Sequence, residues 1–231
     1  MSKGLIEWIF LEGIDYSAAL NLQMVLHRKV SCVKSKYVGF LLLVEHEPVI
    51  TIGRFGNKNN ILLPEEELNK RGVRIFKTSR GGDVTFHGPG QLVGYPIINL
   101  RCLKLGVKSY VNMLENTLIG VLGNLGINGS RRENYPGVWI GQEKIAAIGL
   151  YVSDWTSIHG FSLNVSTDLK FFSMIIPCGL NGTGVTSVEK LANKKIHHKE
   201  IIDMVASEFE KTFDVCLENI NDLDNSRILS S

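Results

Sequence analysis

The sequence lacks a long hydrophobic run and carries little net charge, and each shortage excludes a class of protein. Its longest unbroken apolar runs, such as residues 39–44, are far shorter than the roughly 20 residues that a membrane-spanning helix needs. The formal net charge of +2 does not predict nucleic-acid binding, because polyanion binding needs a concentrated basic face. We therefore expect a globular protein that binds neither membrane nor nucleic acid.

Cysteine is also scarce, and its spacing excludes several further classes. Cys32, Cys102, Cys178 and Cys216 lie far apart and form no C-x-x-C pair, which argues against a zinc knuckle, a thioredoxin-type motif or a disulfide framework. We expect free thiols in a reducing compartment, and we expect Cys32, Cys102 and Cys216 to be small buried apolar residues. The N-terminal residues show no secretion signal or transit leader, so we interpret them as a first strand and expect a cytoplasmic protein, or a mitochondrial-matrix protein in a eukaryote.

Hydrophobic periodicity predicts both helices and strands. Helical spacing predicts a helix from Tyr16 into the mid-30s with Asp15 as its N-cap, a longest helix over 111–125 and a last helix over about 198–212. Strand patterns cover residues 39–45, 49–52, 73–77 and 91–100, a short acidic helix opens at 64, and a meander covers 138–165. Because these elements do not alternate regularly, we predict the α/β (α+β) class, a single domain with a mixed β-sheet and flanking helices, whose last dozen residues are frayed.

The glycine-rich block R-G-G-D-V-T-F-H-G-P-G-Q, residues 80–91, is the first candidate site. Its four glycines and one proline predict a shaped loop, not a regular helix or a central strand. Arg80 can grip a carboxylate, phosphate or carbonyl, and His87 can hydrogen-bond a substrate. The alternative is a structural turn with a solvated arginine, which is the commoner outcome for an arbitrary loop. The GxGxxG and Walker patterns are absent, so no nucleotide site is predicted.

Cys178 and Lys144 are the candidates for covalent chemistry. Cys178 stands between a proline and a glycine, where the proline restricts the chain and the glycine leaves backbone amides uncovered beside the sulfur. A thiol exchanges acyl groups readily with a thioester and then passes them to an amine. Apolar residues follow Lys144, so its ammonium is expected to be partly desolvated and suited to act as a base. The alternatives are a buried structural cysteine and a surface lysine at a strand end.

Histidines and lysines elsewhere are weaker candidates. His197 and His198 are adjacent and cannot chelate one ion from a helix, so with the neighbouring lysines they predict a solvated basic stretch, with docking of an acidic carrier protein as the alternative. His46 and His159 fit a pocket or a core equally well, and the sequence does not decide between them.

Several separated segments together resemble one family. The motif R-G-G-x-x-T-F-H-x-P-G-Q-L-x-x-Y spans residues 80–95, and G-V-W-I-G-Q-E-K-I-A-A-I-G, S-x-H-G-F-S-L-N and P-C-G-L follow in order. This set resembles the lipoyl(octanoyl) transferases, also called lipoate-protein ligase B, over roughly residues 5–215. The resemblance implies a biotin/lipoate protein ligase-like fold and a Cys178–Lys144 catalytic dyad. It also implies an acyl pocket lined by Arg80, Gly81, Gly82, Asp83, Val84, Thr85, Phe86, His87, Ala147, Ile148, Gly149, Gly160, Phe161 and Ser162.

The implied reaction moves octanoyl, or lipoyl, from an acyl carrier protein thioester to a lysine. The acceptors would be lipoyl domains of 2-oxoacid dehydrogenase E2 subunits and the glycine cleavage H protein, and a monomer is expected to suffice. Backbone amides near Gly179 and the loop from Arg80 to His87 would hold the oxyanion and the acyl carbonyl. No metal, nucleotide or other cofactor is expected, because the thioester is already activated. Two alternatives stay open: an ATP-dependent lipoate or biotin ligase on the same fold, and a relative that binds carriers without turnover.

Overall fold

The computed structural model describes residues 3–32, 38–176 and 184–220. Eleven strands are present among them: β1 Gly4–Ile14, β2 Gly39–His46, β3 Val49–Ile52, β4 Arg74–Lys77, β5 Val84–His87, β6 Gln91–Ile98, β7 Gly137–Ile140, β8 Glu143–Ser153, β9 Thr156–Asn164, β10 Gly184–Val185 and β11 Val215–Asn219. The α-helices are α1 Tyr16–Ser31, α2 Glu65–Lys70, α3 Val107–Asn124, α4 Val188–Ala192 and α5 His198–Phe213. Short 3-10 helices cover Lys58–Asn60 and Leu169–Met174. None of the helices in the described ranges has the length and apolar character to cross a membrane.

Eight strands form one large mixed sheet in the order β10-β8-β9-β6-β2-β1-β11, with β7 paired to β8. Strands β1, β2 and β11 pair in parallel, whereas β2, β6, β9 and β8 pair antiparallel in sequence across the sheet. A second sheet of three strands has the order β4-β3-β5. The predicted mixed sheet with flanking helices is therefore confirmed.

Helices cover both faces of the large sheet, and the alternation of side chains along β2 shows how. Leu41 and Leu43 pack with α3 and α5, while Phe40, Leu42 and Val44 pack with α1 on the opposite face. The predicted cap of α1 is confirmed, because the Asp15 carboxylate accepts from the backbone N–H groups of the next turn at 2.8 and 3.1 Å. A third apolar cluster fills the space beneath the three-stranded sheet.

Two predictions made from the sequence are wrong. Residues 80–91 are not a loop throughout, because Val84–His87 forms β5, an edge strand that pairs antiparallel with β3. Glycines flank this strand on both sides, and they concealed its short alternating pattern. Cys32, Cys102 and Cys216 are exposed free thiols, not buried apolar residues. Cys178 and the C-terminal dozen lie outside the described residues.

Candidate functional site

A cavity of about 80 Å³ lies between the middle strands of the large sheet and the segment that carries residues 80–87. The structure brings nearly all of the predicted pocket residues to this one place. Lining the cavity are Arg80, Gly81, Gly82, Asp83, Val84, Thr85, His87, Ala147, Ile148, Gly149, Gly160, Phe161 and Ser162, together with Lys144. Tyr16, Tyr95 and His159 also line it. The sequence analysis did not single out Tyr16, included Tyr95 only as the last residue of the motif over 80–95, and left His159 undecided between pocket and core.

Glycines allow the walls of the cavity to approach closely. A Cβ atom on Gly160 would lie 2.2 Å from the carbonyl oxygen of Gly94, and one on Gly94 would lie 2.1 Å from the Phe161 ring. Both distances are far below a normal contact, so β6 and β9 reach this geometry only with glycine at these positions. The absence of side chains at these two glycines therefore lets β6 and β9 lie close together where they line the cavity.

Phe86 is the exception among the predicted pocket residues. Its side chain is fully buried and stacks on Phe171, with ring centroids 4.7 Å apart, in the cluster beneath the three-stranded sheet. Successive side chains of β5 point to opposite faces, so Phe86 faces away while Thr85 and His87 face the cavity. Phe86 therefore supports the wall from behind and does not line the cavity.

Arg80 shapes the loop that follows it. Its guanidinium is buried and donates to the carbonyl oxygens of Thr51 and Asp83, both at 2.7 Å, and to the Thr51 hydroxyl. The sequence predicted a grip on a ligand, whereas the structure shows a planar donor that fastens the loop to β3. The carboxylate of Asp83 is likewise bonded to the protein, since it accepts from the backbone N–H of Asn57 at 2.9 Å.

Two buried histidines, His87 and His159, line the cavity, and a third, His46, lies behind them with its ring centroid 6.1 Å from that of His87. Burial lowers the pKa of His87 to about 3, with His46 acting in the same direction. Burial, followed by the charge of Arg80, lowers the pKa of His159 to about 4. Burial lowers the pKa of His46, whose Nδ1–H donates to the Ile14 carbonyl at 2.9 Å and whose Nε2 accepts from the Tyr95 hydroxyl at 2.7 Å.

These histidines predict that the fold weakens in mild acid. The unfolded chain binds protons on them below about pH 6.5, whereas the folded chain resists protonation until near pH 4 or 3. Their contribution to stability is therefore complete above about pH 6.5 and is lost as the pH falls toward the folded values. At pH 5, His87 and His159 should each cost on the order of 2 kcal/mol of unfolding free energy, and His46 should act in the same direction. Urea unfolding at pH 7.5 and pH 5 measures this loss.

His159→Asn is a matched variant for that measurement. Asparagine tolerates the positive φ of 61° at this position, so the backbone need not change. Between pH 7.5 and pH 5, the variant should lose less unfolding free energy than the wild-type chain, and the difference should equal the contribution of one histidine. An equal loss in both proteins would contradict the assignment of the effect to these buried rings.

Lys144 lies on β8 at the other side of the cavity. Its side chain is half-buried, its Nζ donates to the Pro136 carbonyl at 3.3 Å and lies 4.8 Å from the centre of the Trp139 ring. Lys144 also lines a smaller adjoining cavity of about 20 Å³ with Thr85 and Val185. Lys144 is half-buried as a whole residue, and its predicted role as a base stays a prediction.

The predicted nucleophile, Cys178, lies outside the described residues, but both ends of the chain around it are placed. Ile176 donates its backbone N–H to the Asn60 carbonyl at 2.8 Å. The chain resumes in β10, where Val185 pairs with Lys144 itself, and the Thr186 N–H donates to the Lys144 carbonyl at 3.0 Å. The described chain therefore returns directly beside Lys144.

Comparison with known proteins places these features in a family. The family model of the lipoyl protein ligase A/B catalytic domain matches residues 15–210. An octanoyltransferase of Caldicellulosiruptor saccharolyticus is 48% identical over 206 residues, 88% of this chain and 87% of that protein. An octanoyltransferase of Desulforamulus reducens is 42% identical over 215 residues, 92% of each chain.

A solved structure extends the comparison to the fold. The bipartite lipoate protein ligase of Thermoplasma acidophilum, studied with its E2 lipoyl domain, superposes with a TM-score of 0.76 at 16% identity and covers 99% of this chain and 91% of that one. At this identity the likeness shows a shared ligase-like fold and nothing more, so the predicted fold is confirmed. The match of the family model and the identity of the relatives show that the chain belongs to the lipoyl protein ligase A/B catalytic-domain family, among its octanoyltransferases.

Proposed function

We propose that the chain transfers octanoyl from the thioester of an acyl carrier protein to the lysine of a lipoyl domain, through a thioester on Cys178 with Lys144 as the base. The observation that carries this proposal is the identity of 42–48% to octanoyltransferases over most of both chains. The site supports it, because Lys144 lines one cavity with the glycine-rich segment, beside the strand that follows the Cys178 segment.

In the first step, the neutral amine of Lys144 takes the thiol proton of Cys178. The thiolate attacks the thioester carbonyl, a new bond forms between the carbonyl carbon and Sγ, and the bond to the carrier sulfur breaks. The Lys144 ammonium then gives its proton to the departing thiolate. Because the guanidinium of Arg80 and the N–H of Gly81 are bonded to the protein, we assign the oxyanion to backbone amides near Gly179, in the segment outside the described residues.

In the second step, the ε-amine of the acceptor lysine attacks the octanoyl-Cys178 thioester. The amide bond forms, the bond to Sγ breaks, and Lys144 takes the proton that the amine loses and returns it to Sγ. No electrons are transferred and no nucleotide is consumed, because the aminolysis of a thioester is downhill. The ligase neighbours share the fold at 16% identity, which is too little to favour the ATP-dependent alternative.

The proposal also covers the acceptor protein, the oligomeric state and the cellular compartment. The acceptor is a lipoyl domain, as in the Thermoplasma acidophilum system, and we extend it to E2 subunits and the glycine cleavage H protein. We also propose that the chain works as a monomer. Exposed free thiols suit a reducing compartment, and we therefore propose the cytoplasm.

A transfer assay without nucleotide tests the proposed function. The chain is incubated with octanoyl-carrier protein and an unmodified lipoyl domain, and intact mass spectrometry follows the lipoyl domain. We expect one octanoyl amide on the acceptor lysine without ATP, and no loading of free octanoate when ATP is added. ATP-dependent loading of the free acid with no transfer from the thioester would make the chain a ligase, and carrier binding without a single turnover would make it a non-catalytic relative.

A further inference from the structure

His87 ends a chain of buried hydrogen bonds that the proposed mechanism does not use. His87 Nδ1 lies 2.7 Å from Gln91 Oε1, Gln91 Nε2 lies 2.8 Å from Asn164 Oδ1, and Asn164 Nδ2 lies 3.0 Å from the Thr186 carbonyl oxygen. The four residues are 7%, 1%, 5% and 0% exposed, respectively. An unpaired or misdirected group in such a place is costly, so the chain has to be satisfied throughout.

Two backbone carbonyls fix the direction of every bond in this chain. The Thr186 carbonyl can only accept, so the atom of Asn164 that faces it is the amide nitrogen, and Oδ1 faces Gln91. The Phe86 carbonyl, 3.3 Å from the side chain of Gln91, likewise requires the Gln91 amide nitrogen on its side. Gln91 Oε1 therefore faces His87 as an acceptor, and His87 must carry its proton on Nδ1.

The other ring nitrogen of His87 is then a bare acceptor beside the cavity. His87 lines the cavity, and within the described ranges no protein group hydrogen-bonds Nε2. Because burial also keeps the ring neutral, Nε2 cannot donate to an oxyanion or to an acyl carbonyl. We therefore do not assign the oxyanion to the imidazole of His87, and the partner of Nε2 must itself carry a hydrogen.

The register of the sheet places this acceptor at the Lys144 end of the cavity. In the large sheet, Gln91 of β6 pairs with Asn164 of β9, and Leu163 of β9 pairs with Ala146 of β8. The position of β8 opposite Asn164 is therefore the one directly after Lys144. The opposite end is marked by Leu150, whose carbonyl accepts from Gly81 N–H at 2.9 Å. Leu150 lies six positions after Lys144 on β8, or about 20 Å away at the usual rise of a strand.

At the reacting end, the substrates differ in what they offer to an acceptor. The octanoyl thioester presents a carbonyl oxygen and a sulfur, which are both acceptors. The incoming amine presents N–H donors. Its lone pair points at the carbonyl carbon of the thioester only when its N–H bonds point away from that carbon. A neutral imidazole nitrogen can take one of them without adding a positive charge beside Lys144.

We infer that His87 Nε2 accepts a hydrogen bond from the ε-amine of the acceptor lysine as that amine attacks the octanoyl thioester, with Gln91 and Asn164 as positioning residues that hold His87 in this tautomer. This inference rests on the proposed function and adds a group that acts in the second step alone. The pantetheine arm of the carrier also has amide N–H groups, and if one of these were the partner of Nε2, His87 would act in the first step.

Two substitutions of His87 separate its two nitrogens. His87→Asn keeps an amide nitrogen near the place of Nδ1, able to donate to Gln91, and removes the acceptor at Nε2. His87→Gln extends an oxygen toward the place of Nε2 and gives up the bond to Gln91. Single-turnover mass spectrometry measures acylation by octanoyl-carrier protein and, separately, transfer from the acyl-enzyme to a lipoyl domain.

In His87→Asn the ratio of the transfer rate to the acylation rate should fall by about ten- to a hundredfold, the usual effect of a hydrogen bond to a polar reacting group. His87→Gln should restore part of that ratio. His27→Asn is the control at a buried histidine of α1 that does not line the cavity, and it should leave the ratio within about threefold of wild type. An equal fall in both steps, or a fall confined to acylation, would overturn the inference.

Nitrogen NMR of histidine-labelled protein gives a readout that does not depend on activity. The resonance that is lost in His87→Gln should show a protonated Nδ1 and a bare Nε2 between pH 6 and pH 8, and Gln91→Leu should mix the two tautomers. A protonated Nε2 in the wild-type chain would overturn the role of His87 alone. Failure of the wild-type chain to form an acyl-enzyme would instead overturn the proposed function, and the role of His87 with it.

Discussion

Replacement of Cys178 by alanine is expected to abolish the octanoyl-enzyme and to lower the rate of transfer by on the order of 10⁴-fold or more. Without the thiol, the amine would have to attack the carrier thioester directly, and the two-step path that shares one base would be lost. The rate of octanoyl-lipoyl domain formation, followed by mass spectrometry, measures the effect. Binding of octanoyl-carrier protein should persist, because the lining of the cavity is unchanged.

The other three cysteines supply controls for this experiment. Cys32, Cys102 and Cys216 are exposed and free, so a generally reactive thiol would also be acylated at these positions. Cys102→Ala should transfer octanoyl at the wild-type rate and still gain one acyl group. Transfer by Cys178→Ala at more than a tenth of the wild-type rate would show that another residue, or direct aminolysis, carries the reaction.

Lys144→Ala is expected to slow acylation by about 10²- to 10⁴-fold, the usual contribution of a positioned base. Its effect on binding of the octanoyl-carrier protein should be far smaller, because Lys144 Nζ donates to the Pro136 carbonyl and lies against the Trp139 ring at the edge of the site. Stopped-time mass spectrometry gives the acylation rate, and titration of the carrier onto the chain gives the binding constant.

Lys190 provides a matched lysine beside this site. Its Nζ lies 2.9 Å from the carboxylate of Glu143, the residue before Lys144, and it is half-exposed. Lys190→Ala removes one nearby positive charge but no predicted base, so acylation should change by less than about threefold, as for other surface ion pairs. Equal losses of acylation and binding in Lys144→Ala would assign Lys144 to binding and not to proton transfer.

Local patterns predicted most of the elements of the fold. The Asp15 cap, the apolar stripe of α3 and the alternation along β2 each depend on near neighbours in sequence, and each is present. β5 was missed because its four residues stand between glycines and are held as a strand by β3, more than thirty residues away in sequence. The burial of the three cysteines was predicted from the average behaviour of their residue type. Cys32 instead ends α1, Cys102 lies in the turn after β6, and Cys216 lies on the edge strand β11, so all three are exposed.

The sequence predicted which residues form the candidate site, but it did not predict which way their side chains point. Motif order alone gathered residues that line one cavity. Phe86 nevertheless faces away from it because of strand alternation, and the carboxylate of Asp83 is bonded to the backbone of Asn57. The bonds that fix His87 join residues that lie up to 73 positions apart, and no pattern within a strand reveals them. Gln91 and Asn164 stand inside the family-like motifs, so the signal for them was present, but their role appears only when the strands pair.

The covalent intermediate is the central claim, and one measurement tests it most directly. The chain is mixed with octanoyl-carrier protein in the absence of an acceptor, quenched in acid, and analysed by intact and peptide mass spectrometry. We predict a gain of one octanoyl group that maps to the peptide containing Cys178 and is released by hydroxylamine, as a thioester should be. An octanoyl group on another residue, or transfer to a lipoyl domain with no acylated chain at any time, would contradict it.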